Sequence, residues 1–234
     1  MKTTIQDKTS LVNSVFTKVY KKYDLMNDIM SMGIHRIWKK KLIEWANPLE
    51  NESLIDVASG TGDVAKIFSA KNNHTSQISC VEPNKEMYNA GKDNLRNLKN
   101  IKWYKSSAEK LPFKDNIFDF YTISYGIRNV TNINLALKEA LRVLKPGGRF
   151  MCLEFSKIDN EIINLLYQQY SKAIPIVGKY IVGSSKPYDY LIKSIDEFCS
   201  QEGLVSLMKN NGFSNIEYRN LSNGISAIHS GWKI

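Results

Sequence analysis

No apolar run in this 234-residue chain approaches the ~20 residues that a membrane-spanning helix needs, so a helical integral membrane protein is excluded. The opening MKTTIQDKTSLVNS carries no apolar stretch of the kind that marks a secretory signal, and a cytoplasmic location is expected. Cysteine and histidine are scarce, at three each. Cys80, Cys152 and Cys199 lie far apart, the first two inside the apolar strings QISCVE and RFMCLEF, and they read as buried free thiols. His35, His74 and His229 do not cluster, and no Cys/His spacing suggests a zinc site, so no metal is called for. Low complexity and internal repeats are also missing. With 43% hydrophobic and 24% charged residues the composition is that of an ordinary globular protein, and the length suits one domain with terminal elaborations.

Charge of one sign is in excess. Lys and Arg number 32 against 23 Asp and Glu, a formal charge of +9. The basic residues are spread along the chain, with only short clusters such as Lys39, Lys40 and Lys41, and no nucleic-acid signature accompanies them. A solvated surface is expected, nucleic acid is not, and transient attraction to an anionic membrane surface stays open.

From Ser53 onward short apolar strands alternate with helical patterns, the sign of βαβ units and a parallel sheet. SLIDVA, QISCVE, the stretch Ile101 to Tyr104, FDFYTIS and RFMCLEFS read as strands; ALKEALRVL reads as an amphipathic helix, and Pro146, Gly147 and Gly148 punctuate the passage into the fifth strand. Beyond Lys157 come helical stretches over roughly 160–172 and 187–211, then SNIEYRNL and GISAIHSG as a closing hairpin. The first 50 residues read mainly as helix, VNSVFTKVYKKYDLMNDIMS followed by HRIWKKKLIEWA. Both a helix packed on the sheet and a lid over an apolar ligand fit that spacing.

The most informative stretch is Ser53 to Asp63, where a strand runs into a glycine turn and then a helix. Glycine lets the backbone turn sharply and approach a ligand, and the helix start offers unpaired N–H groups. A dinucleotide site needs GxGxxG, and Ala58, Ser59, Gly60, Thr61, Gly62, Asp63 has no third glycine in place. Glu82 closes the second strand, where a carboxylate can accept from both ribose hydroxyls of an adenosine cofactor. Ser107, Ala108 and Glu109 precede LPF, a layout that suits an adenine held against apolar side chains.

Taken together, DVASGTGD, EPNKEM, SAEKLPFKDNIFD and LRVLKPGG resemble the successive motifs of the Rossmann-like S-adenosylmethionine (SAM)-dependent methyltransferases. YDLMNDIMSMGIHRIWK, ISYGIRNVTN and LEFSK narrow the resemblance to the ubiquinone/menaquinone biosynthesis C-methyltransferase family, and it covers nearly the whole chain from Val15. The fold it implies is α/β, a seven-stranded mostly parallel sheet with a C-terminal antiparallel hairpin and an N-terminal helical lid. Residues 1–50 form the lid and substrate segment, 51–234 the methyltransferase domain, and 158–211 a helical insertion for substrate.

The implied SAM contacts are Asp56, Ala58, Gly60, Thr61 and Gly62 at the turn, Glu82, Ser107 and Ala108, and Ser124 ahead of GIRNV. Family members often carry Asp where this chain has Glu82; the longer side chain still reaches a ribose diol. The implied reaction is methylation of a ring carbon of a prenylated quinol, which needs a group that stabilises a phenolate. Arg128 and Asn129 are expected there, Arg128 as a phenolate ligand or water-orienting group, since an arginine is a poor base. Tyr23, Asp24, Asn27 and His35 are candidates for ring or lid contacts. A polyprenyl tail suggests either docking at the inner face of the membrane or an apolar groove, for which Tyr167, Tyr170, Ile174, Ile176, Val177, Tyr180 and Ile181 are candidates as well as for plain core. A homodimer is a further implication. Two alternatives stay open at this stage: a same-fold enzyme that methylates oxygen or nitrogen of another small molecule, and a non-catalytic SAM-binding scaffold.

Overall fold

The computed structural model describes residues 33–158 and 186–234, together with Thr17, Asp28, Ser31, Glu161, Leu165, Tyr167, Gln169 and Tyr170. Strands β1 (Leu54–Val57), β2 (Ile78–Val81), β3 (Ile101–Tyr104), β4 (Phe118–Ser124) and β5 (Leu144–Phe155) run parallel. All four side chains of β1 are buried, as are five of the seven in β4, the two-faced burial of a parallel sheet covered by helices. Those helices are α1 (His35–Ala46), α2 (Asp63–Lys71), α3 (Lys85–Asn94), α4 (Ile133–Val143), α5 (Lys186–Glu197) and α6 (Gln201–Asn210). Starts are signalled locally: Asn84 accepts from Met87 N and Asn132 from Leu135 N, both at 3.1 Å, satisfying amides that the first helical turn leaves unpaired.

The sheet order is β3-β2-β1-β4-β5-β7-β6, with β6 (Ser214–Leu221) and β7 (Ser226–Trp232) antiparallel to their neighbours. All seven expected strands are present. From β1 the chain steps outward to β3 and then returns to lay β4 on the other side of β1. The direction of winding reverses there, and the crevice beyond the carboxyl ends of β1 and β4 is where open α/β sheets take their ligands. The core has two halves. Trp38, Leu42 and Phe68 pack with Tyr188 and Leu191 on one face; Leu137, Ala140 and Phe150 pack with Leu204 and Met208 on the other. At the amino end of the visible β5 ladder, the Arg149 guanidinium lies 5.2 and 4.9 Å from the ring centroids of Trp45 and Trp232 and donates to Trp45 O at 2.9 Å, tying α1 to β5 and β7.

Two local expectations are corrected. The helical stretch over 187–211 is two helices, because the Ser200 hydroxyl accepts from Gly203 N at 3.2 Å and starts α6 afresh. Pro146, Gly147 and Gly148 do not precede the strand but bulge within it: pairing jumps from Phe118↔Leu144 to Phe120↔Arg149, with Gly147 at φ +79. Of the long N-terminal helix read over residues 12–31, only Thr17, Asp28 and Ser31 are among the described residues; Tyr23, Asp24 and Asn27 lie outside them, as do Ile174, Ile176, Val177, Tyr180 and Ile181.

Candidate functional site

Strand β1 delivers the chain into a turn whose backbone is left-handed at Ala58 (φ +52), Gly60 (φ +58) and Gly62 (φ +89). Ala58 tolerates that conformation at a cost that glycine would not incur. Ser59 fastens the turn, donating its hydroxyl to Asp56 O at 2.6 Å and accepting from Val81 N at 3.1 Å. Gly126, just past β4, is the counterpart: a Cβ there would lie 2.5 Å from that of Ala58, so the loops after β1 and β4 touch.

Glu82 is buried immediately after β2, and both carboxylate oxygens are aimed by backbone amides. Oε2 accepts from Gly60 N at 2.9 Å and Oε1 from Asn84 N at 3.0 Å. Each carboxylate oxygen has two acceptor sites, so the amides orient the group without exhausting it. Burial pushes this carboxyl up to about 7, against the pull of the two amides. Asp56 is also pushed up to about 7 by burial; Oδ1 accepts from the Thr122 hydroxyl at 2.7 Å on the neighbouring strand, and Oδ2 is buried with no hydrogen-bond partner. Ser124 Oγ, at the end of β4, is likewise buried and unpartnered. A turn opened by positive φ, a pre-aimed carboxylate and two orphaned buried oxygens fit the ribose and the polar tail of a nucleoside cofactor. Ala108 packs with Val57, Val81 and Ile127 beneath the same crevice, and Glu109 Oε1 accepts from Thr131 N at 2.7 Å, holding its loop to the one after β4.

The structure places Arg128 and Asn129 in a 3-10 turn, Ile127–Asn129, at the carboxyl end of β4. Arg128 is buried rather than a surface residue. Its Nη1 donates to Glu154 Oε1 at 2.5 Å and to Tyr125 O at 2.8 Å, Nε reaches Ser194 Oγ at 3.4 Å, and the guanidinium carbon sits 5.5 Å from the Phe155 ring centroid. Asn129 Nδ2 donates to the same Tyr125 carbonyl at 3.3 Å, and its Oδ1 accepts from the Tyr190 hydroxyl at 2.9 Å. Helix α5 thus supplies Tyr190 and Ser194 to the predicted catalytic pair.

His35 falls in a different cluster. It is buried at the start of α1, bonded through Nδ1 to Ser31 Oγ at 2.9 Å, and burial with the nearby Lys39 charge lowers it to about 4. With Lys39, Asp63 and Ile67 it lines a groove between α1 and α2. Lys39 is itself buried and pairs with Asp63 at 2.7 Å, one residue past the glycine turn. Burial raises the Asp63 carboxyl, and the Lys39 ammonium overrides that and holds it low. From the N-terminal segment the Thr17 hydroxyl accepts from Asn84 Nδ2 at 3.1 Å and donates to Glu86 at 3.2 Å, two and four residues beyond Glu82.

Sequence reasoning missed Lys39, Tyr190, Ser194 and Glu154 as site residues. One signal was there to use: Glu154 interrupts the apolar run RFMCLEFS, and a carboxylate in the middle of a buried strand points to a partner, either a cation or hydrogen-bond donors.

Comparison with known proteins gives this geometry its context. Solved structures of SAM-dependent methyltransferases are similar in fold: one from Thermotoga maritima has a TM-score of 0.66 at 21% identity, covering 94% of this chain and 99% of its own. Another, from Aquifex aeolicus, has a TM-score of 0.63 at 16% identity, covering 84% of this chain and 89% of its own. Sequence relatives are much nearer. The ubiquinone/menaquinone biosynthesis C-methyltransferase UbiE of Rickettsia bellii is 50% identical over 97% of this chain and 94% of its own length, and that of Brucella suis is 43% identical over 97% and 87%. A sequence profile of the ubiE/COQ5 methyltransferases matches residues 2–233, so the crevice just described and the strands that frame it all lie within one continuous match, and the chain belongs to the ubiE/COQ5 methyltransferase family.

Proposed function

We propose that this protein transfers the methyl group of SAM to a ring carbon of a prenylated quinol in ubiquinone or menaquinone biosynthesis. The observation that carries the reading is the placement of a buried, fixed Arg128 with Asn129 beside the cofactor turn, in a chain that belongs to this family. SAM, when bound, supplies an electrophilic methyl on a sulfonium. Glu82 is suited to hold the ribose, Asp56 and Ser124 the polar tail with Thr61 and the glycine turn, and Ser107 and Ala108 the adenine side.

What remains for the protein is to align an acceptor and keep water out. A quinol carbon becomes nucleophilic when the adjacent phenol loses its proton. Arg128, permanently protonated, stabilises the phenolate or orients the water that takes the proton, and the Asn129 amide, steadied by Tyr190, offers a second polar contact to the ring oxygen. Tyr23, Asp24 and Asn27 belong to this reading as lid or ring contacts, whereas His35, buried against Ser31 beside Lys39, is better suited to support α1 than to touch the ring. The acceptor's tail supports work at an anionic membrane face, towards which the +9 charge would draw the protein; failure to bind anionic vesicles at low salt would refute that part.

Purified protein supplied with SAM and a demethylated quinol should form a product heavier by one methylene. Arg128→Ala should cut turnover by about 10²–10³-fold while cofactor affinity changes little. Equal loss of both would refute the role given to Arg128, and product only with an unrelated acceptor would move the function to another small molecule.

A further inference from the structure

Among the described residues, a small network holds Arg128. Tyr125 adopts φ +56, an uncommon conformation for an aromatic residue, and is pinned there by its N–H donating to Leu153 O at 2.8 Å. The result is a carbonyl aimed at both Arg128 Nη1 and Asn129 Nδ2. On the other side Glu154 is fixed independently of Arg128, because its Oε1 also accepts from Phe155 N at 2.9 Å. Glu154 is 1% exposed. An ion pair this deep is a costly way to add stability, since both charges leave water, and an apolar pair would pack the same space.

We infer that Glu154 is a positioning residue for Arg128: it fixes the plane of the guanidinium and tempers its positive charge, so that the quinol oxygen meets one orientation and one field strength. This rests on the reading of Arg128 given above. Among the described residues, the other titratable groups within electrostatic reach of the pair are Cys152 on the same strand, Cys199 beyond α5, Tyr167, and Tyr190 on α5. Burial pushes all four up, so none of them gains charge near neutrality; burial raises the Glu154 carboxyl as well, and the Arg128 guanidinium with the amides of Phe155 and Arg128 pulls it back towards the anion.

The test is the pH profile of kcat for Glu154→Gln, with Arg128→Lys alongside. Gln keeps an acceptor near Nη1 and removes the charge. Without that anion the bound phenol ionises more readily, so the rise of kcat with pH should move to lower pH by on the order of one unit. The plateau should fall on the order of tenfold to a hundredfold through lost alignment, with cofactor affinity within about twofold of wild type. In the Arg128→Lys background Glu154→Gln should shift the profile much less, because its effect runs through the guanidinium. A fall in kcat that is equal at every pH, or no fall, overturns the role of Glu154. Wild-type turnover by Arg128→Lys overturns the reading of Arg128 instead. Should Glu154→Gln not fold, Glu154→Asp decides: it keeps the charge and shortens the reach, so kcat should fall with the pH profile unmoved, and an unchanged kcat overturns the proposal.

Discussion

Cofactor affinity should depend on pH through Glu82, and the sign and size follow from its surroundings. Burial raises its carboxyl to about 7, and Asp56 is raised to the same range. A ribose diol donates to the ionised carboxylate, so the competent fraction is about one half at pH 7 and about one eleventh at pH 6. Affinity should therefore fall about fivefold over that unit and nearly tenfold over the next, with proton release on binding in the same window. Stability runs the other way. Both native carboxyls lie above their unfolded values, so the cofactor-free fold takes up protons between about pH 4 and 7; the stability they contribute is present below about pH 4 and lost as pH rises through about 7. The increase in melting temperature caused by SAM should consequently be larger at about pH 8 than at about pH 6. Glu82→Gln removes the ionised acceptor, and loss of charge-assisted bonds of about 1.5–3 kcal/mol each should weaken binding at about pH 8 by at least tenfold while flattening the Glu82 part of the profile. Calorimetry in buffers of different ionisation enthalpy measures both quantities. A wild-type affinity constant between about pH 5.5 and 8, or a Glu82→Gln profile identical to wild type, would refute the reasoning.

Three further outcomes are expected. Tyr190→Phe releases Asn129 Oδ1, so kcat should fall several-fold while the dissociation constant for SAM stays put; a matching change in both would place Tyr190 outside the acceptor side. Gly91 faces Trp103 so closely that a Cβ would lie 2.1 Å from Cη2, and Gly91→Ala should destabilise by about 1–3 kcal/mol in a denaturant melt. Lys39→Met keeps the aliphatic packing and breaks the pair with the half-exposed Asp63, which should lower the melting temperature by about 2–4 °C, a loss that high salt should partly reproduce in wild type.

How much of this was legible in sequence depends on how local the cause is. The strands, the glycine turn and Glu82 were readable because strand burial, turn chemistry and a carboxylate at a strand end are written in neighbouring residues. Arg128 and Asn129 were placed by resemblance, and the fold adds what surrounds them. Their supports are 26 and 61 residues away at Glu154 and Tyr190, and Lys39 meets Asp63 across 24, so only the topology brings them together. No periodicity encodes such pairs. The Pro146–Gly148 bulge was hidden for a related reason: the dipeptide signals of a turn and of a bulge inside a ladder are the same, and the neighbouring strand decides between them.

The position of β7 between β5 and β6 has a consequence for biosynthesis. β6 emerges from the ribosome before the strand that joins it to the sheet, and β5 waits with one flank unpaired until β7 inserts. At about 5–20 residues per second that interval is short, yet two open edges coexist during it, one of them on the segment Phe150–Phe155, apolar but for Glu154. Substitutions that slow β7 without altering the finished fold should show themselves as lower soluble yield at high expression rates, with the surviving molecules fully active.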